Sequence, residues 1–227
     1  MLEVKRAGER HRGGEPHAGI DTRHAFSFAG FYDPDNLRFG PLTACNEERL
    51  APGAGFPPHR HRDLEIVTWV IEGELTHEDT DGRTTAVRPG DVQRLTPGSG
   101  TLHGEHNRGT EPLRFLQMWL VPDEPGGAPE YEVVRGLADG TPYALPRTDA
   151  ALYVHHLDTG TRTTVPDAHR AYVHVVRGAV TLHPDVTTAT RLTPGDSARL
   201  TAAGTPPLRA EEPTELLIWR FGAALTR

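Results

Sequence analysis

Two stretches of this chain, 105 residues apart, carry the same pattern. Glu65-Ile66-Val67-Thr68-Trp69-Val70-Ile71-Glu72-Gly73 is matched by Arg170-Ala171-Tyr172-Val173-His174-Val175-Val176-Arg177-Gly178, with equal spacing to the closing glycine. Arg88-Pro89-Gly90-Asp91 is matched by Thr193-Pro194-Gly195-Asp196 at the same offset of 105, and Leu116–Trp119 aligns with Leu216–Trp219. A repeat of this size is one folding module used twice. Within each copy, short apolar runs are broken by Gly, Pro, Asn or Asp at close intervals, which is the pattern of strands joined by tight turns. Expected strands in the first copy are Thr43–Leu50, Glu65–Ile71, Glu74–Glu78, Thr84–Val87, Asp91–Leu95 and Arg114–Val121, with Asp81-Gly82 as a hairpin turn. In the second copy they are Leu152–Leu157, Tyr172–Val176, Val180–His183, Ala198–Leu200 and Glu215–Phe221.

No long amphipathic period exists, so the fold class is all-β, with two tandem β-sandwich or barrel domains. A chain of 227 residues suffices for two such domains. The first is expected over residues 1–121, with residues 1–25 wrapped around its outside. A linker over 122–150 opens at Val121-Pro122-Asp123-Glu124-Pro125-Gly126-Gly127, and the second domain runs over 151–227.

Several function classes are disfavoured. The net charge is −7 and Lys5 is the sole lysine, which argues against direct nucleic-acid binding. No run of 18 apolar residues exists to span a membrane, and the first residues lack the apolar stretch of a signal peptide. A cytoplasmic location is therefore expected. The single cysteine, Cys45, excludes an internal disulfide and a thiolate zinc site.

The chemistry concentrates in the first copy. His59-Arg60-His61 follows a Gly/Pro run, and His103-Gly104-Glu105 follows Gly98-Ser99-Gly100. In an extended strand, side chains at i and i+2 share a face. Two such pairs on neighbouring strands can converge on one point, giving three imidazoles and one carboxylate: His59, His61, His103 and Glu105. A lone His-x-His is commonly a surface coincidence; a second pair about 40 residues on reverses that judgement. Nitrogen and carboxylate donors without thiolate suit Fe(II), Mn(II), Ni(II), Cu(II) or Zn(II). Four protein ligands on a six-coordinate ion leave two positions for substrate and dioxygen, which leans the set towards catalysis and non-haem iron. His106 has the opposite parity. His11, His17, His24, His77, His155, His156, His169, His174 and His183 show no partner pattern and read as surface or core residues. Phe56, Trp69 and Met118 lie near the motifs as candidates for a partly apolar pocket, with core packing the simpler reading of Trp69 and Met118.

Gly53-x5-His59-x-His61-x3-Glu65-x7-Gly73 resembles the first cupin motif with one extra residue before the last glycine, and Gly98-Ser99-Gly100-x2-His103-x3-Asn107 resembles the second. Their combination with Phe56-Pro57-Pro58, Pro89-Gly90-Asp91-Val92-Gln93 and the early Arg23-His24-Ala25-Phe26-Ser27-Phe28 segment resembles the pirin family, bacterial pirin-like proteins in particular. The resemblance implies a bicupin of two jelly-roll domains. It implies one divalent transition metal, Fe(II) first and Cu, Ni, Mn or Zn as alternatives, held by His59, His61, His103 and Glu105. It also implies quercetin 2,3-dioxygenase activity: oxidative ring cleavage of a flavonol with O2, releasing carbon monoxide. Glu105 would then be ligand and catalytic base for the flavonol 3-hydroxyl. Glu65, a ligand position in other cupins, reads as support for the site or the sheet. In the second copy the ligand positions align with Thr164, Pro166, Leu208 and Ala210, so it is expected to hold no metal. The partners implied are a small aromatic substrate and O2, and the chain is expected to be a monomer. The alternative function is a metal-dependent regulatory or redox-sensing protein that binds transcription factors or metabolic enzymes. A cupin isomerase or sugar-binding protein fits the spacing less well.

Overall fold

A computed structural model describes residues 1–185 and 187–223; the last four residues of the expected second domain lie outside them. The chain forms two compact units, one of His11–Leu137 and one of Met1–Arg10 with the chain from Ala138 onward. Each is built of strands in two antiparallel sheets, as expected of a bicupin.

In the first unit a seven-stranded sheet runs Glu130–Val134, Val92–Thr96, Glu65–Glu72, Leu113–Leu120, Leu42–Leu50, Ile20–His24, His11–Glu15. A four-stranded sheet runs Gly55–His61, Thr101–His106, Leu75–Asp79, Thr84–Val87. The alternating apolar runs supply a core of Ile20, Leu50, Val70, Leu75, Val87, Leu113 and Phe115. Trp69 and Met118 are buried in this unit, which settles them as core residues. The strand carrying His59 and His61 lies at a sheet edge. That placement is what Pro57 and Pro58 require, since proline donates no ladder hydrogen bond. The register against Thr101–His106 slips between the His103↔His59 and Glu105↔Phe56 pairs, an irregularity at Pro57-Pro58.

The second unit repeats the design, with a six-stranded sheet in the order Leu2–Lys5, Ser197–Thr201, Arg170–Arg177, Thr214–Phe221, Ala150–Leu157, Tyr143–Ala144, and a four-stranded sheet of Arg162–Thr164, Pro207–Ala210, Val180–Leu182, Thr190–Leu192. The same turn chemistry recurs. Gly90 (φ +92°) and Gly195 (φ +84°) follow a proline, and the Asp91 and Asp196 carboxylates accept from the backbone N–H of Arg88 and Thr193 at 3.1 and 3.0 Å. Only glycine takes that positive φ cheaply, which is why Pro-Gly is kept in both turns.

Two segments fold differently from their polar sequence. Leu2–Lys5, expected on the first domain, belongs to the second unit: it pairs with Ser197–Thr201, and the Arg6 guanidinium meets Asp196 at 2.9 Å. Glu130–Val134, within the stretch read as linker, pairs with Val92–Thr96. Both are edge strands, together with His11–Glu15, and an edge strand that buries little has no need of a hydrophobic period.

Register also corrects the alignment of the two copies. Glu105 pairs with His77, and Leu208 pairs with Leu182, the residue 105 positions after His77. Leu208 therefore takes the place of Glu105, not of His103, and Ala210 falls beyond it. Trp219 pairs with Tyr172 as Met118 pairs with Val67, so the last strands align one residue away from the sequence match.

Candidate metal centre

His59 and His61 are half-buried on the edge strand, with Arg60 exposed between them, as the i, i+2 parity requires. His103 and Glu105 are buried on the neighbouring strand. His59 and His103 are direct cross-strand partners. Ring centroids lie 4.6 Å apart for His59–His61, 4.6 Å for His59–His103 and 5.1 Å for His61–His103. One nitrogen from each of these three rings falls within 4.8 Å of the others. Glu105 falls in a second group of the same spacing, with His103 and His77. The structure thus brings three of the four expected residues into one cluster, and places the fourth in an overlapping cluster joined through His103.

The donor set fits a cation. The His59 ring meets the Pro57 carbonyl through Nδ1 at 2.8 Å, which places the proton there and leaves Nε2 with its lone pair. His103 Nδ1 sits 3.4 Å from His77 Nδ1. Among the described residues, His61 Nε2 and His103 Nε2 are buried with no hydrogen-bond partner. A buried polar nitrogen without a partner is costly, and two on neighbouring strands in one cluster call for a shared electrophile. Burial, reinforced by His59 and His103, pushes the His61 imidazolium down to about 3; burial, reinforced by His59 and His77, does the same to His103. Both rings are neutral near pH 7, the form a metal ion needs.

Imidazoles in the unfolded chain protonate near pH 6.5, while these two resist protonation in the fold until about pH 3. Between those values the unfolded state binds more protons. Stability of the chelator-treated protein should therefore be full above about pH 6.5 and fall as the pH drops towards 3. Thermal unfolding across that range checks it; a His61→Phe change should flatten the slope, and a pH-independent midpoint would contradict it.

Glu105 is 1% exposed, and among the described residues no lysine or arginine pairs with it. Its oxygens instead accept from two amides: Oε1 from Gln93 Nε2 at 3.0 Å, and Oε2 from Gln117 Nε2 at 2.6 Å. Gln93 Nε2 also reaches Thr68 Oγ1 at 3.2 Å. Behind the amides stand two aromatic donors. The Tyr131 hydroxyl donates to Gln93 Oε1 at 3.0 Å, and the Trp119 indole N–H donates to Gln117 Oε1 at 2.9 Å. The same rings pack on imidazoles: Tyr131 stacks on His77 at 4.2 Å, and Trp119 meets His61 edge-on at 4.9 Å. Phe28 lies 4.8 Å from Trp119, and Phe56 6.4 Å from His59.

Sequence reasoning set His77 aside and gave Gln93, Gln117 and Tyr131 no role. Gln93 stands inside the quoted Pro-Gly-Asp-Val-Gln motif, and that position was the available signal; the others depend on cross-strand register. Glu65 is fully buried and falls in neither cluster; it accepts from Thr96 Oγ1 at 2.8 Å with Arg94 4.0 Å away. In the second unit the corresponding positions are apolar. Leu182, Ala198, Leu208 and Ile218 stand for His77, Gln93, Glu105 and Gln117, and all belong to its buried core.

The family described as Pirin matches residues 5–120, and the one described as quercetinase C-terminal cupin domain matches residues 146–219. A Mycobacterium tuberculosis protein provisionally named a quercetin 2,3-dioxygenase is 37% identical over 241 residues, covering 99% of this chain and 96% of its own. A protein of Escherichia coli named quercetin 2,3-dioxygenase is 34% identical across 81% of this chain and 84% of its own. The crystal structure of the E. coli bacterial pirin YhhW in complex with nickel(II) superposes with a TM-score of 0.88 at 28% identity, covering 98% of this chain and 99% of that one. No helix among the described residues is long and apolar enough to cross a membrane. With the His/Glu clusters in its first cupin and an apolar core in its second, the chain belongs to the pirin family.

Proposed function

We propose that His59, His61, His103 and Glu105 hold one divalent transition metal, and that the protein is a metal-dependent dioxygenase which cleaves a flavonol ring with O2. The observation that carries this reading is that, among the described residues, His61 Nε2 and His103 Nε2 are buried without a hydrogen-bond partner beside a carboxylate with no paired lysine or arginine. Iron(II) is the first assignment, and copper, nickel, manganese or zinc suit the same donors. When bound, the ion supplies Lewis acidity and a site for O2. The residues do the rest. His59 is held in the Nε2-ligating tautomer by the Pro57 carbonyl, and His103 Nδ1 is braced by His77 Nδ1 at 3.4 Å. Phe28 and Trp119 offer an apolar rim beside His61 for a flat aromatic substrate. Each Glu105 oxygen has one lone pair taken by an amide and one left, so a freed oxygen accepts the flavonol 3-hydroxyl proton.

The test is aerobic bleaching of quercetin by protein loaded in turn with Fe, Cu, Ni or Mn, with Glu105→Ala alongside. Metal-dependent bleaching that Glu105→Ala loses is expected. No bleaching with any of the four metals would overturn the dioxygenase assignment, and bound metal without bleaching would favour the regulatory reading.

A further inference from the structure

We infer that Gln93 and Gln117 are positioning residues that fix the Glu105 carboxylate for the metal, and that Tyr131 and Trp119 lock each glutamine in its donating orientation. The inference rests on the metal-site reading above and assigns roles to residues outside its ligand set.

An amide side chain can turn either end towards a neighbour, and which end it presents is decided by what stands behind it. The indole N–H of Trp119 can only donate, so the end of Gln117 that faces it is the carbonyl. The NH2 is thereby forced towards Glu105, 2.6 Å away. On the other side, the Tyr131 hydroxyl donates to Gln93 Oε1 at 3.0 Å, so the Gln93 carbonyl faces the phenol. The Gln93 NH2 is then aimed at Glu105 Oε1 and at Thr68 Oγ1. Each arm is a chain of two hydrogen bonds ending on a different carboxylate oxygen, so together they fix both the position and the rotation of the group.

The arms also reach the imidazoles. Trp119 packs edge-on against His61, and Tyr131 stacks on His77, whose Nδ1 meets His103. Each aromatic residue thus braces a ligand histidine directly or through one neighbour while it orients the carboxylate. Both glutamines lie on the seven-stranded sheet, paired across Thr68 in the middle strand, and Tyr131 enters from its edge strand. The second unit replaces Gln93, Thr68 and Gln117 with Ala198, Val173 and Ile218 where it replaces Glu105 with Leu208. The arms and the carboxylate are present together in one unit and absent together in the other, as a single functional assembly would be.

The test uses metal-free full-length protein. Nickel(II) affinity is measured by competition with a chelator, and the cobalt(II) d–d absorption band is recorded, for wild type, Gln93→Leu, Gln117→Leu, Tyr131→Phe and the Gln93→Leu/Tyr131→Phe pair. Gln93→Leu and Gln117→Leu should each weaken nickel binding about 10–100-fold, the range for partners of metal ligands, and should shift the cobalt band. Tyr131→Phe keeps the ring on His77 and removes one hydroxyl; it should weaken binding measurably, though by less than about 10-fold, shift the cobalt band, and add nothing to Gln93→Leu, because it acts through it. Wild-type affinity and cobalt spectrum in the Gln variants, with only a lowered thermal midpoint, would overturn the inference and leave a structural role. If a Gln→Leu variant does not fold, Tyr131→Phe decides: wild-type nickel affinity and cobalt spectrum there overturn it. A His61→Ala control separates the two levels. If wild type takes up no nickel, or His61→Ala binds it equally well, the metal-site reading itself fails; if His61→Ala alone loses binding, only the positioning role fails.

Discussion

Replacing His61 with alanine should leave a folded protein that no longer retains a transition metal. The ring sits half-buried on an edge strand, so its removal opens space towards solvent and not a closed cavity in the core. It also removes one of the two buried, partnerless Nε2 atoms. The remaining cluster has two imidazoles, and affinity should drop by more than about 100-fold, beyond what loss of an outer partner gives. Quercetin turnover should vanish with the metal, while the chelator-treated variant should unfold near the wild-type midpoint at neutral pH. Metal analysis after gel filtration, with a thermal melt on the same sample, reads both. Retention of a full equivalent of metal would contradict the site.

The opposite experiment, in the second cupin, should be far more damaging to the fold. Leu208 occupies the place of Glu105, is fully buried, and belongs to a core with Leu182, Ala198 and Ile218. Leu208→Glu would bury a carboxylate where Gln93 and Gln117 have only the apolar Ala198 and Ile218 as counterparts. Such an unpaired charge costs more than about 4 kcal/mol, a large part of a domain's stability. The unit of Met1–Arg10 and the chain from Ala138 onward should lose its cooperative denaturation transition. The reciprocal Glu105→Leu strands two amide donors at about 1–3 kcal/mol each, so the first unit should weaken yet still fold. A Leu208→Glu chain with wild-type denaturant midpoints would show that the second cupin tolerates charge, against this account.

The parts of the fold that sequence made legible are those written in local chemistry. Thr84–Val87 lies where its alternation and the Asp81-Gly82 turn place it, and the paired Pro-Gly-Asp turns close alike at Asp91 and Asp196. His59 and His61 share a face because strand parity is local, and the prolines before them already imply an edge. What stayed hidden depends on partners far along the chain. Leu2–Lys5 and Glu130–Val134 read as polar coil because edge strands bury little, and their pairing shows only in register. Tyr131 therefore entered the site from a stretch read as linker. His77 carries no spacing signal; its cross-strand pairing with Glu105 is what brings it to the site. The same register moved Leu208 from the place of His103 to that of Glu105, a shift that aligning glycines and prolines could not detect.

The central claim is that three histidine Nε2 atoms and the Glu105 carboxylate share one metal. Crystals of the protein grown with nickel(II), with diffraction recorded on both sides of the nickel absorption edge, test it most directly. One strong anomalous peak is expected in the first cupin, about 2.0–2.2 Å from Nε2 of His59, His61 and His103 and from an oxygen of Glu105, and none in the second. No peak among these residues, or a peak centred on His77 without His59 and His61, would contradict it.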